Sequence, residues 1–128
     1  MKLLLDTCTF LWLAGGGGGL STEAAEAIRT PDNEVFLSAA SVWEVVIKYQ
    51  RGRLPLPEPP SRLIPAERKA RGLSPLAFDE ESVLQGLQLP WLHRDPFDRI
   101  LISQSIAHGM ALLTPDPLIA QYPVRVIW

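Results

Sequence analysis

Apolar positions along this chain fall in short runs separated by polar and glycine-rich breaks. Leu3-Leu4-Leu5, closed by Asp6, reads as a short buried strand, and a helical turn follows through Phe10, Leu11 and Trp12. Ser21 or Thr22 can cap a helix running to about Arg29, with Glu23 well placed for its N-terminus. After the turn Pro31-Asp32-Asn33, residues 34–38 predict a second strand. Residues 39 to about 50 predict a helix that breaks at Gly52. Prolines 55, 57, 59, 60 and 65 predict an extended connector over 54–65, followed by a helix over 65–71 that Gly72 ends. Residues 76–78 fit a third strand, and Asp79 can cap a helix through Leu87. The segment 97–108 is a strong helix with Gly109 where a C-terminal cap belongs. Strands four and five are expected over 110–113 and 124–127.

Short apolar strands alternating with helices imply an α/β fold whose parallel sheet is covered on both faces. The five glycines 15–19 follow a helix and precede no Lys-Ser/Thr, so they read as a flexible connector and not as a phosphate cradle.

Composition narrows the class. The 128 residues suit one domain over 1–128, and 47% apolar with 20% charged residues is an ordinary globular balance. A net charge of −2 excludes a molecule that is basic all over, so any polyanion must meet local patches. Cys8 is the single cysteine, which permits no internal disulfide and fits a reducing cytoplasm. Asp6 interrupts the leucine-rich start, which argues against an export signal. No apolar run approaches the roughly 20 residues of a membrane span. The expectation is a soluble cytoplasmic protein.

Sites in parallel sheets lie beyond the C-terminal ends of the strands. Asp6 ends the first strand there, and Asp116 follows the fourth by way of Thr114. Glu44 lies in the helix after the second strand, and Asp95 and Asp98 open the helix that leads into the fourth. Five carboxylates can thus meet at one edge. Such a cluster repels itself and needs a compensating positive charge. No Cys/His set has zinc-ligand spacing, and hard oxygen donors favour Mg²⁺ or Mn²⁺.

Each acid also has a bland reading. Asp95-Pro96 fits an N-cap with proline at the first helical position, and Asp98 then favours the helix dipole. Ser41 to Glu44 fits a capping box, although Ser38 offers an earlier cap and the neighbours of Glu44 are apolar. Thr114-Pro115-Asp116-Pro117 is good turn chemistry. Lys48 can pair with Glu44 at i,i+4 or meet a phosphate. Arg94 and Arg99 can hold substrate phosphates or balance the acids. Arg51, Arg53, Arg62, Arg68, Lys69 and Arg71 can line a nucleic-acid path or be solvated faces. His93 and His108 lack ligand spacing, and Trp12, Trp43, Trp91 and Trp128 read as core.

LLLDT, SAASVWEVVIK, HRDPFDRILISQS and LLTPD, in that order, resemble the PIN-domain family and most nearly its VapC-type toxins. The resemblance spans nearly the whole chain, and HRDPFDR is its most specific part. It implies a single-domain three-layer α/β/α sandwich around a mostly parallel sheet of about five strands. It also implies a Mg²⁺- or Mn²⁺-dependent endoribonuclease that leaves a 5′-phosphate and a 3′-hydroxyl. Its partners would be RNA, a cognate antitoxin and a second copy in a homodimer. By motif the acidic set is Asp6, Glu44, Asp98 and Asp116, with Asp95 as an extra acid and Thr7 and Thr114 supporting the metal shell. Cys8 departs from the family, whose members often carry histidine there.

Two other functions compete. A haloacid-dehalogenase-like phosphatase also places an acid after its first strand, but wants a second Asp where this chain has Cys8. A non-catalytic protein-binding module would offer the acidic edge to an arginine-bearing partner.

Overall fold

A computed structural model describes residues 1–128. Five strands form one sheet: β1 (Lys2–Leu5), β2 (Glu34–Ser38), β3 (Ser74–Leu76), β4 (Ala111–Leu113) and β5 (Val126–Ile127). Their order across the sheet is β3-β2-β1-β4-β5, and every pairing is parallel. Six α-helices connect them: α1 (Thr7–Ala14), α2 (Thr22–Arg29), α3 (Ala39–Gln50), α4 (Pro60–Arg71), α5 (Glu80–Gln85) and α6 (Pro96–His108). No helix is long and apolar enough to cross a membrane.

The period of two along each strand builds the layers. Leu3, Leu5, Val35, Leu37, Ala111 and Leu113 face Phe10, Leu13, Ala24 and Ile64 of α1, α2 and α4. Leu4, Phe36 and Leu112 face the other way, onto Leu101 and Ile102 of α6 and onto Leu89, Ile119 and Tyr122. Burial of both sheet faces explains why Leu3, Leu4 and Leu5 of β1 form an unbroken apolar run instead of alternating. The expected α/β/α sandwich is therefore the architecture found.

Local signals set the helix starts. Asp6, Ser21, Ser38, Asp79 and Asp95 each turn a side-chain oxygen onto a first-turn amide. Gly72 and Gly109 end α4 and α6 in left-handed conformations. The proline-rich connector is shorter than expected, because α4 starts at Pro60 and carries Pro65 in its interior. Proline fits the first helical turn, where its missing N–H is no loss. The third strand lies two residues earlier than expected, at Ser74–Leu76, paired with Phe36–Ser38 of β2.

The glycine loop is a formed turn and not a loose connector. Gly16 and Gly17 donate to the carbonyls of Leu13 and Trp12, and Gly17 has φ 84°. Gly19 lies beneath the Trp12 indole, where a β-carbon would sit 2.4 Å from a ring atom. Trp12 in turn packs on Trp128, with ring centroids 5.7 Å apart.

One buried polar tie runs across the sheet edge. The Ser38 hydroxyl donates to Gln104 Oε1 at 2.6 Å, and Gln104 Nε2 donates to the Ala77 carbonyl at 3.0 Å. It fastens the start of α3 to α6 and to the end of β3, which sets the two acid-bearing helices relative to the sheet.

Candidate active site

From β1 the chain proceeds to β2 and β3 on one side, and β4 and β5 lie on the other. The crevice between the ends of β1 and β4 is the point where the winding reverses, the usual ligand site of such sheets. Asp6 stands at one lip and Asp116 at the other. A pocket of about 460 Å³ opens there, lined by Asp6, Glu44, Asp95, Asp98, Asp116 and Lys48, with Thr7 and Cys8 in its wall. All five acids singled out from the sequence meet in it.

Asp6 is 5% exposed, and its Oδ1 accepts the Thr9 amide at 2.7 Å. It both caps α1 and faces the pocket, so the two readings of a strand-end acid coincide. Burial pushes its carboxyl above the ordinary range, and donors on Thr114 and Thr9 offset this only in part. Glu44 is 6% exposed. Its Oε1 accepts the Thr7 hydroxyl at 2.6 Å and its Oε2 accepts Lys48 Nζ at 2.7 Å. Ser38, not Ser41, caps α3 through its bond from the Ala40 amide, so Glu44 is not part of a capping box. The bond to Glu44 raises the Lys48 pKa and keeps the ammonium charged.

Asp95 takes the Phe97 and Asp98 amides on Oδ1, at 2.8 and 3.2 Å, so it caps α6 from within the pocket wall. Asp98 sits one turn on. Burial, with Asp95 next in weight, pushes its carboxyl up to about 7 against the opposing pull of His93. Asp116 follows Thr114, whose Oγ1 accepts the Asp116 amide at 3.1 Å. Its Oδ1 accepts the Leu118 amide at 2.9 Å.

His93 is the pocket-side residue that sequence reasoning did not place at the site. It is 8% exposed, and its Nε2 lies 2.8 Å from Asp116 Oδ2 and 3.1 Å from Asp98 Oδ2. Ligand spacing in the chain could not reveal it, because its contacts with Asp98 and Asp116 are made across the fold. The usable signal was its place at the head of HRDPFDR. Tyr122 was missed too: its buried hydroxyl accepts the Leu92 and His93 amides and donates to the Pro90 carbonyl.

The arginines divide. Arg99 turns away from the pocket and spends its guanidinium on the carbonyls of Pro90, His93 and Gly86, with its carbon 4.0 Å from the Trp91 ring centroid. Arg94 is exposed and lines a neighbouring hollow with Trp91 and Pro96. Arg68 is tied to the Leu37 carbonyl and Arg71 to Glu67, whereas Arg51, Arg53, Arg62 and Lys69 are exposed. Two tryptophans expected in the core are on the surface. Trp43 is 53% exposed, edge-on to Phe97, and Trp91 is 70% exposed.

A family model for the PIN domain matches residues 3–124. The chain belongs to the PIN-domain family. Among curated proteins, this PIN domain is 40% identical over 57 residues to Ribonuclease VapC16 of Mycobacterium tuberculosis (strain ATCC 25618 / H37Rv). That match covers 44% of this chain and 40% of the relative's length. The same fold recurs in VapBC2 from Rickettsia felis, solved bound to a promoter DNA fragment, with TM-score 0.75 and 15% identity over 98% of this chain and 97% of that one. It recurs in DNA-bound VapBC from Salmonella typhimurium with TM-score 0.69 and 15% identity, over 98% and 96%. FitAcB from Neisseria gonorrhoeae aligns with TM-score 0.61 and 17% identity, over 97% and 95%.

Membership of this family removes the dehalogenase-like alternative. Cys8 cannot replace the acid that chemistry needs, since burial and the surrounding carboxylates raise its thiol pKa and keep it neutral.

The donors of the PIN pocket suit a divalent cation. They are carboxylate oxygens from four separate segments, too close to be comfortable, with one ammonium among them and no thiolate set. Such a group fits Mg²⁺ or Mn²⁺ better than zinc.

Proposed function

We propose that this PIN domain is a Mg²⁺- or Mn²⁺-dependent endoribonuclease and the toxin of a toxin–antitoxin module. The observation that carries the reading is the meeting of Asp6, Glu44, Asp98 and Asp116 in one pocket at the switch point of the sheet. Partial identity to a protein named a ribonuclease adds to it.

Asp6, Asp98, Glu44 and Asp116 would hold the ion. When bound, the ion supplies an activated water and neutralises charge on the scissile phosphate. The chain's own residues do the rest. Asp6 is set on one lip by the end of β1, and Asp116 on the other by the turn after β4, which Thr114 Oγ1 and the Leu118 amide hold. Thr7 and Lys48 hold both oxygens of Glu44, which fixes its direction. Lys48 is half exposed and can meet a phosphate oxygen from the solvent side. Thr114 shapes the turn that carries Asp116, and Asp95 starts the helix that carries Asp98. Arg94 stands outside the pocket, where a flanking phosphate would pass.

The partners are an RNA, a cognate antitoxin and a second copy of the chain. The exposed side chains Leu84, Leu87 and Trp91 favour protein association. An acidic pocket also favours a partner segment that carries arginine or lysine.

Purified protein would be tested on a panel of single-stranded and structured RNAs with Mg²⁺, Mn²⁺ or EDTA, beside Asp6→Asn and Asp98→Asn. Cutting with either metal, abolished by EDTA and by both substitutions, is expected. Absence of cutting together with absence of metal binding by calorimetry would overturn the reading and leave the protein-binding module.

A further inference from the structure

His93 stands between two acids that come from different elements; its ring is held at Nδ1 and its backbone at both the amide and the carbonyl. The Asp95 amide donates to Nδ1 at 3.1 Å. The His93 amide donates to the Tyr122 hydroxyl at 2.7 Å, and Arg99 reaches the His93 carbonyl at 3.4 Å. An amide N–H can only donate, so Nδ1 must present its lone pair to Asp95. The ring proton then resides on Nε2. From there it faces Asp116 Oδ2 at 2.8 Å and Asp98 Oδ2 at 3.1 Å.

This tautomer has a chemical consequence. A histidine that ligates through Nε2 needs its lone pair there, and the Asp95 amide forbids the proton from moving to Nδ1. The three groups His93, Asp98 and Asp116 are close enough to hold an ion together. The hydrogen-bond pattern nevertheless makes His93 a donor to Asp116, with Asp98 Oδ2 beside the same nitrogen at 3.1 Å, and not a third ligand.

We propose that His93 is a positioning residue: its Nε2–H holds Asp116 by a hydrogen bond, its Nε2 stands 3.1 Å from Asp98 Oδ2, and it so sets the gap across which the two carboxylates present oxygens to a divalent cation. This rests on the metal-dependent reading above. Without the imidazole N–H between them, two neighbouring carboxylates from a helix start and a loop would repel and turn apart. Partners of this kind, which orient ligands without touching the metal, typically change metal affinity by about 10- to 100-fold when removed.

Two measurements test it on the full chain. The first compares Mn²⁺ binding by calorimetry, without RNA, in the wild type, His93→Gln and His93→Leu, with thermal melts alongside. Glutamine can return an N–H near the Nε2 position, and leucine cannot. Expected are a Kd within about threefold of wild type for the glutamine variant and a loss of about 10- to 100-fold for the leucine variant. Wild-type affinity in a folded leucine variant would overturn the proposal, and so would equal losses in both folded variants. The second needs no substitution. Nitrogen NMR of histidine-labelled protein, which has only two histidines, at pH 8 should show His93 protonated on Nε2 before and after saturation with Mg²⁺. Loss of that proton on adding Mg²⁺ would make His93 a ligand and overturn the proposal. A wild type that binds Mn²⁺ yet cuts no RNA would count against the nuclease alone, because both tests read the metal centre. A wild type that binds no Mn²⁺ would overturn both.

Discussion

Leu4 and Leu112 at the middle of the sheet and Asp6 and Glu44 at its C-terminal edge are nearly equally hidden from water, yet they are held by opposite physics. The leucines gain from burial in any direction, so α6 packs on them without demanding one geometry. The acids lose by burial, and each persists only because named donors hold it: Thr9 on Asp6, Thr7 and Lys48 on Glu44, His93 on Asp116. The core is therefore self-sufficient, whereas the pocket is a concentration of unfavourable charge that the core stabilises from below. Sites that work by electrostatics are expected to carry such a local conflict with stability.

The comparison can be broken most sharply at Asp98. On the proposed nuclease reading, replacing it with asparagine should cut RNA cleavage by about four orders of magnitude or more, as loss of one member of a catalytic unit does, measured in single-turnover assays. The fold should survive, because the helix cap is Asp95. In the core the balance reverses. Leu112→Ala should destabilise by about 2–5 kcal/mol in urea melts, and Mn²⁺ binding measured well below the midpoint should persist.

Acidity offers a finer test. The Asp98 carboxyl stands near 7 in the folded protein against 3.8 without burial. Its folded-state pKa is raised, so its contribution to stability is complete below pH 4 and is lost as pH rises through 7. Metal-free protein should accordingly become less stable between pH 4 and 7, by up to about 3 kcal/mol from this group. Asp98→Asn should flatten that slope, and Mg²⁺ should restore stability at pH 8. A slope unchanged in Asp98→Asn would show that the charge conflict lies elsewhere.

The smallest effects sharpen the comparison away from the pocket. Gly19→Ala should cost about 1–3 kcal/mol, since its β-carbon must displace the Trp12 indole. Gly18→Ala has open space and should change stability by less than about 1 kcal/mol. Equal melting temperatures for the two variants would return the loop to a mere connector.

Much of this was legible beforehand. The five strands, the caps at Ser21, Ser38, Asp79 and Asp95 and the glycine stops at 72 and 109 follow from interactions within a few residues, which sequence spacing displays directly. The acid cluster was legible because Asp6, Asp95, Asp98 and Asp116 lie near a strand end or a helix start, Glu44 lies in the first half of the helix after β2, and the parallel topology implied by alternating elements brings these to one edge. Boundaries at Pro60 and Ser74 were not, because pairing with β2 and packing beneath the sheet override proline counts and local propensity.

The chain by itself determined the α/β class, the parallel sheet and the identity of the acids, since those rest on period, capping and chain order. Only the tertiary structure decided what each polar group touches. Thr7 reaches Glu44 across 37 residues of chain, and His93 reaches Asp116 across 23. It also turned Arg99 away from the pocket and onto loop carbonyls, put Trp43 and Trp91 on the surface, and set Gly19 under Trp12. The reason is directional. A hydrogen bond or a van der Waals contact depends on where distant segments cross, and no local pattern of residue types encodes that crossing.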